Sequence, residues 1–330
     1  MGSSFLIIQT AFTGDAILAT SLAESIHNAD NSHAIDLVVR KGNESLFKNH
    51  PFLRNVLVWD KRKNKFKNLL GILKRIRSSK YDVAVNLQRF ASTGLLTACS
   101  NAKIKTGFSK NPLSPFFSNR HKHIIQNNTH EIDRNFSLVS EIIGGKISKP
   151  KLYPDDSDYK AVEKYKNQPF YTISPSSVWF TKTFPPYKWI ELIKKLNVVT
   201  PGFSIFLLGS KDENTIAQSI KDKSGIEKIH NLCGSLSLLE SAALMRDAEM
   251  NYVNDSAPMH LAGAMNAPVT AVFCSTVPDF GFGPVSDNST IIQTTLNLSC
   301  RPCGLHGYKQ CPLAHFKCAH TININDIVAT

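Results

Sequence analysis

The feature that most restricts the fold is an alternation: short apolar runs are each followed by a stretch with helical spacing, and this continues along the 330 residues. Strand and helix in turn are the signature of βα units and a parallel sheet. The reading places strands at residues 5–9, 35–39, 56–59, 81–87 and 104–108, then at 170–174, 203–209, 250–253 and 269–273. A chain of this length exceeds one compact core. Lys149, Pro150 and Lys151, followed by a polar turn from Pro154 to Asp158, separate the two groups of strands. Two α/β domains are therefore expected, over residues 1–155 and 156–330, with no repeat of fixed period and no low-complexity segment.

Charge follows the same division. Residues 1–150 hold 22 Lys plus Arg against 10 Asp plus Glu, whereas residues 151–330 hold 16 against 16, so the first half carries the whole net charge of +12. A basic half beside a neutral one points to a polyanion at one domain: nucleic acid, phospholipid headgroups or a phosphorylated glycan. No run approaches the roughly 20 apolar residues of a membrane span. The opening MGSSFLIIQTAF has no basic leader, and Phe5 to Ile8 is too short for a signal core and is expected as a strand. Leu6 stands where an N-myristoylation motif on Gly2 wants Ser or Thr.

Residues 61–80 hold nine cations, with Phe66, Leu69, Leu70, Leu73 and Ile76 at three-to-four spacing. This predicts a helix whose apolar stripe packs on the sheet. Its basic face is solvated and able to meet an anionic membrane surface, where each cation contributes about 1 kcal/mol.

Three segments carry chemistry. In TAFTGDAIL (residues 10–18), Asp15 falls at a strand's carboxyl end, where open α/β sheets bind ligands. It either caps the following helix or acts as a general base. In the loop after residue 174, Ser176, Ser177 and Lys182 suit a diphosphate, while Trp179 and Phe180 can cover the domain edge. After the strand at 250–253 come Asn254, Asp255, Ser256, Ala257, Pro258 and His260. Pro258 belongs in a first helical turn, whose amides attract phosphate. The Asp255 carboxylate would repel that phosphate, so it caps the helix or binds a sugar hydroxyl. No GxGxxG or Walker motif is present, which argues against a dehydrogenase or P-loop enzyme.

Near the end, Cys300, Cys303, Cys311 and Cys318 are spaced C-x2-C-x7-C-x6-C. Four thiols this close can hold one tetrahedral Zn or Fe in a structural site, with His306 or His315 replacing a thiol or binding acceptor phosphate. A cytosolic setting disfavours disulfides, and Cys99, Cys233 and Cys274 lie in apolar contexts that suggest buried packing.

Taken together, the chain resembles glycosyltransferase family 9, the ADP-heptose:lipopolysaccharide heptosyltransferases. The matching stretches are Gly14 with Asp15, residues 86–88, His130 to Asn135, Ser176 and Ser177 with Lys182 and Trp189, Leu208 and Gly209 with Glu213, and Asn254 to Ser256 with His260. The resemblance implies a GT-B fold, two Rossmann-like domains with parallel sheets facing each other across a cleft. The basic N-terminal domain would take the acceptor and the C-terminal domain the nucleotide sugar. It implies an inverting transferase that moves heptose from ADP-heptose to the inner core of lipopolysaccharide, with Asp15 as base and no metal or other cofactor in catalysis. The donor would be held by Ser176, Ser177, Lys182, Glu213 (on the ribose), Asp255, Ser256, Ala257 and His260. Ala257 departs from the glycine usual there. Arg89, Arg120, Lys122 and Arg134 are the candidate acceptor contacts. Autotransporter heptosyltransferases related to the family carry a four-cysteine iron site near this end. The expected location is cytoplasmic, with peripheral contact at the inner membrane's cytoplasmic face. Two other readings stay open. One is a transferase or epimerase acting on another nucleotide sugar; the other is a basic nucleic-acid-binding protein, for which no RRM, KH or helix-turn-helix signature is present.

Overall fold

The computed structural model describes residues 2–125 and 128–330. The chain divides into two compact units, Met1–Tyr153 and Pro154–Thr330. The division falls two residues before the expected 155/156 junction because Tyr153 still belongs to the first unit. Its hydroxyl donates to Glu24 Oε1 at 2.8 Å and its ring meets His50 edge-on.

The first unit contains β1 (Ser4–Ile8), β2 (Ala34–Arg40), β3 (Leu53–Trp59), β4 (Val83–Asn86), β5 (Ile104–Phe108) and β6 (Asn119–His121). They form one sheet, all parallel, in the order β3-β2-β1-β4-β5-β6. The second contains β7 (Phe170–Ser174), β8 (Ser204–Leu207), β9 (Ile229–Asn231), β10 (Met250–Asn254), β11 (Val269–Phe273) and β12 (Ser289–Gln293). Its order is β12-β11-β10-β7-β8-β9, again all parallel. Counted from its own first strand, each sheet reads 3-2-1-4-5-6, the doubly wound order of a Rossmann fold. In such sheets ligands bind beyond the carboxyl ends of the two central strands, where the winding reverses. Those places are the ends of β1 and β4, paired Ile8 to Asn86, and of β7 and β10, paired Ser174 to Val253.

The apolar strands are buried from both sides. Leu6, Ile8, Val38, Trp59 and Ile76 belong to one cluster in the first unit, and Ile173, Trp189, Leu192, Ile205 and Val272 to another in the second. Each such side chain contributes about 1.5–3 kcal/mol by leaving water. Three strands escaped the sequence reading: β6 and β9 have three residues each, and β12 is a half-exposed edge strand.

The basic helix spans Lys65–Ser79, but its packed face differs from the expected one. Leu69, Ile72 and Ile76 are buried and Leu73 packs beside them, whereas Phe66 is 75% and Leu70 60% exposed. Among the described residues, no helix is long and apolar enough to cross a membrane.

Candidate active site

At the first switch point the chain leaves β1 through Gln9 and Thr10 and enters the helix Thr13–Ala29. The N-cap of that helix is Phe12, with no side-chain cap bond, and Asp15 lies in its first turn. Asp15 is therefore not the N-cap residue itself, and in the first turn the helix dipole favours its negative charge. The floor beside it is a polar network. Thr10 Oγ1 donates to Gln88 Oε1 at 2.8 Å, Gln88 Nε2 donates to Gln9 Oε1 at 2.6 Å, and the Gln88 amide donates to Asn86 Oδ1 at 2.9 Å. Asn86, expected within a functional stretch, thus anchors the loop that follows β4.

Two cations reach this floor that sequence reasoning did not single out. Lys61, just beyond β3, donates from Nζ to the Thr10 carbonyl at 2.7 Å and to Thr10 Oγ1 at 3.0 Å, with Nζ 4.6 Å from the centre of the Trp59 ring. Burial, with the like charges of Arg40 and Lys65, pushes its ammonium down to about 8. Arg40, the last residue of β2, lies over Phe12. Burial and then Arg62 push Arg40 below its ordinary value, and the Asp15 carboxylate partly offsets them. The signal was available: Arg40 ends β2, which pairs with β1, and Lys61 follows β3, the next strand out, at the same carboxyl edge of the sheet.

Of the four basic residues expected at the acceptor, Arg89, Arg120 and Lys122 are exposed. Arg89 leans on Phe90. Arg134 differs. It is 5% exposed, its Nε donates to Glu131 Oε2 at 2.7 Å, and its Nη1 donates to the Thr129 carbonyl. His123 Nε2 lies 3.2 Å from the same Glu131 oxygen. Arg134 is thus an internal tie of the turn before the helix Glu131–Ser137 rather than an exposed contact.

In the second unit the expected residues converge on the ends of β7 and β10. Lys182 Nζ lies 2.8 Å from Asp255 Oδ2, the two side chains being 15% and 8% exposed. Thr276 donates to that oxygen at 2.6 Å. Asn254 joins the two loops, donating from Nδ2 to the Ser174 and Ser176 carbonyls and accepting from the Phe184 amide at 2.8 Å. Trp189 Nε1 donates to the Pro175 carbonyl at 3.1 Å. The Ser176 hydroxyl is buried with no hydrogen-bond partner among the described residues, and Ser177 follows it in the same loop. Ser256 is the N-cap of the helix Ala257–Ala264 but makes no side-chain cap bond, so Asp255 does not cap it and is held by Lys182 instead. His260 is buried one turn into that helix. Glu213 lies beyond β8, where its Oε2 accepts from the Ser210 amide at 2.6 Å, and a Cβ on Gly209 would meet that oxygen at 2.7 Å.

The cysteine segment closes over this loop. Cys300, Cys303, Cys311 and Cys318 all line one cavity of about 240 Å³, with His315. Cys300 Sγ and His315 Nε2 are 3.9 Å apart. Burial and the neighbouring thiols push Cys303 up, and burial with the same neighbours raises Cys318 to about 11. Among the described residues no three ligating side chains converge as a formed metal site. The segment is tied to the loops after β7 and β11: the Tyr308 amide donates to Thr181 Oγ1 at 2.8 Å, the Thr181 amide to the Tyr308 carbonyl at 3.1 Å, and the Cys303 amide to the Ser275 carbonyl at 2.8 Å.

Comparison with known proteins gives a consistent answer. The model of the family described as "Glycosyltransferase family 9 (heptosyltransferase)" matches residues 70–312. Lipopolysaccharide heptosyltransferase 3 of Escherichia coli is 22% identical over 280 residues, 80% of this chain and 82% of that protein. The structure of E. coli ADP-heptose lipopolysaccharide heptosyltransferase II superposes with a TM-score of 0.76 at 19% identity, covering 92% of each chain. The iron-containing dodecameric glycosyltransferase TibC of enterotoxigenic E. coli H10407 superposes with a TM-score of 0.57 at 13% identity, over 99% of this chain and 75% of that one.

Proposed function

The chain belongs to glycosyltransferase family 9 and has the GT-B fold, and from that premise we propose that it transfers heptose from ADP-heptose to the anionic inner core of lipopolysaccharide, inverting the anomeric centre. The observation that carries the donor half is the Lys182–Asp255 pair beside the buried Ser176 hydroxyl at the ends of β7 and β10. A cation already in place, an unpartnered hydroxyl and a helix N-terminus without a side-chain cap form a receiver for a diphosphate.

In the proposed reaction Asp15 accepts the proton of an acceptor hydroxyl while that oxygen attacks the anomeric carbon. The bond from that carbon to the β-phosphate oxygen breaks, and ADP leaves with its charge held by Lys182, Ser176, Ser177 and the amides at Ser256 and Ala257. Asp255, steadied by Thr276, and His260 face the sugar and diphosphate, and Glu213 takes the ribose. Lys182 and the amides supply the positive charge, so the chemical step needs no metal. Arg40 and Lys61 join Arg89, Arg120 and Lys122 in meeting acceptor carboxylates or phosphates, with Arg134 bracing the turn that carries Glu131. The enzyme works in the cytoplasm, at the inner membrane's inner face. Turnover of the purified chain with ADP-heptose against UDP- and GDP-sugars, using core-truncated lipopolysaccharides as acceptors, tests the reading. A preference for a UDP- or GDP-sugar, or epimerisation without transfer, would replace it.

We also propose that the four cysteines hold a structural Zn or Fe. The donor set is soft and all four cysteines line one cavity, which supports a tetrahedral site there. The reading predicts stoichiometric metal in the purified protein and a lower melting temperature after chelation; metal-free protein of unchanged stability opposes it.

A further inference from the structure

We propose that the outer face of the helix Lys65–Ser79 docks the protein on an anionic phospholipid bilayer, with Phe66 and Leu70 entering the headgroup layer while Lys67, Lys74 and Arg77 meet lipid phosphates. Phe66 and Leu70 are one turn apart and remain exposed although Leu69, Ile72 and Ile76 of the same helix are buried. At about 100° per residue, Phe66, Arg77, Leu70, Lys74 and Lys67 fall in that order across one arc of about 100°. All five are exposed. Residues 61–80 contain nine Lys or Arg and no Asp or Glu. Large apolar side chains standing among cations, with no acid on the helix itself, match the pattern of a helix that lies in a membrane interface.

Charge selects the occupant. A second copy of this face would set the same cations against one another. Nucleic acid would satisfy the cations but offer Phe66 and Leu70 no hydrocarbon. An anionic bilayer satisfies both. The inference rests on the proposed location at the inner membrane's inner face, and it can fail separately from the sugar-transfer reading because vesicle binding is scored without sugar transfer.

The test is co-sedimentation of the full chain with vesicles of phosphatidylglycerol and phosphatidylethanolamine, against vesicles of phosphatidylcholine alone. Wild-type protein should bind the anionic vesicles only, less tightly as salt rises. Phe66→Ser with Leu70→Ser should weaken partitioning by about tenfold or more, as two partly inserted apolar side chains are withdrawn. Lys67→Gln and Lys74→Gln should each weaken it about fivefold. All four positions are exposed, so circular dichroism and ADP affinity should stay at wild-type values. Equal binding to both vesicle types overturns the proposal, as does full wild-type binding by the Phe66→Ser, Leu70→Ser variant. Self-association or RNA binding that this variant abolishes, without vesicle binding by the wild type, would also overturn it.

Discussion

Replacing Lys182 by Met removes the cation paired with Asp255 while keeping most of the side-chain volume. The two groups lie 2.8 Å apart and are largely buried. Breaking a buried ion pair by removing one partner costs about 3–5 kcal/mol, most of it for stranding the other charge. Here Asp255 keeps its bond from Thr276 at 2.6 Å and some access to water, which lowers the expected cost to about 1–3 kcal/mol. In a unit of this size that corresponds to a fall in Tm of about 2–10 °C. The same substitution removes a charge-assisted contact to the diphosphate, worth about 1.5–3 kcal/mol, so ADP should bind roughly tenfold to 150-fold more weakly. Adding Asp255→Asn separates the two effects. It removes the stranded charge and should recover most of the lost stability, but not the ADP affinity. Thermal unfolding and titration calorimetry with ADP on the two single variants and the double variant complete the cycle. A Lys182→Met protein with wild-type melting and ADP affinity refutes the argument, and so does a double variant that regains ADP binding.

Asp15→Asn should lower turnover by about 10²–10⁴-fold with ADP affinity unchanged by calorimetry, because a general base acts on the acceptor and not on the nucleotide. Lys61, pushed down to about 8, is charged below that pH and neutral above it, so the acceptor KM should rise as pH passes upward through this region. Lys61→Met should remove that rise and show the high KM throughout. Gly307 has φ +76°, and a Cβ there would lie 2.8 Å from Thr181 Oγ1 and 3.1 Å from Lys182 Cγ. Gly307→Ala should therefore cost about 1–3 kcal/mol of stability and weaken ADP binding, measured by melting and calorimetry.

What the sequence showed and hid has physical causes. The central strands announce themselves because parallel strands covered on both faces read as continuous apolar runs, as FLII in β1 and VTAVF in β11 do. β6, with the sequence NRH, has no such signal; it exists because β5 presents an edge to it. The basic helix offered two overlapping apolar stripes, and only packing against the sheet chose Leu69, Ile72 and Ile76 over Phe66 and Leu70. For Asp15, local sequence left capping and catalysis as alternatives, and the backbone puts the N-cap itself at Phe12, with Asp15 in the first turn. The Lys182–Asp255 pair joins residues 73 positions apart, and no local pattern encodes that distance. Arg40 and Lys61 went unnoticed although they follow successive strands, because it is the order β3-β2-β1 that brings both toward the loop after β1.

The two sheets share one wiring diagram, 3-2-1-4-5-6, used twice in a single chain. Asp15 and Lys182 both follow the first strand of their own half, Asp15 in the first turn of the helix after β1 and Lys182 in the turn after β7. Duplication of an ancestral half would produce this arrangement, and mutation could then retrain one copy while the other kept its task. Laboratory recombination can exploit the same modularity. On the proposed reading, chimeras joined between Tyr153 and Pro154 should inherit acceptor preference from one parent and nucleotide preference from the other.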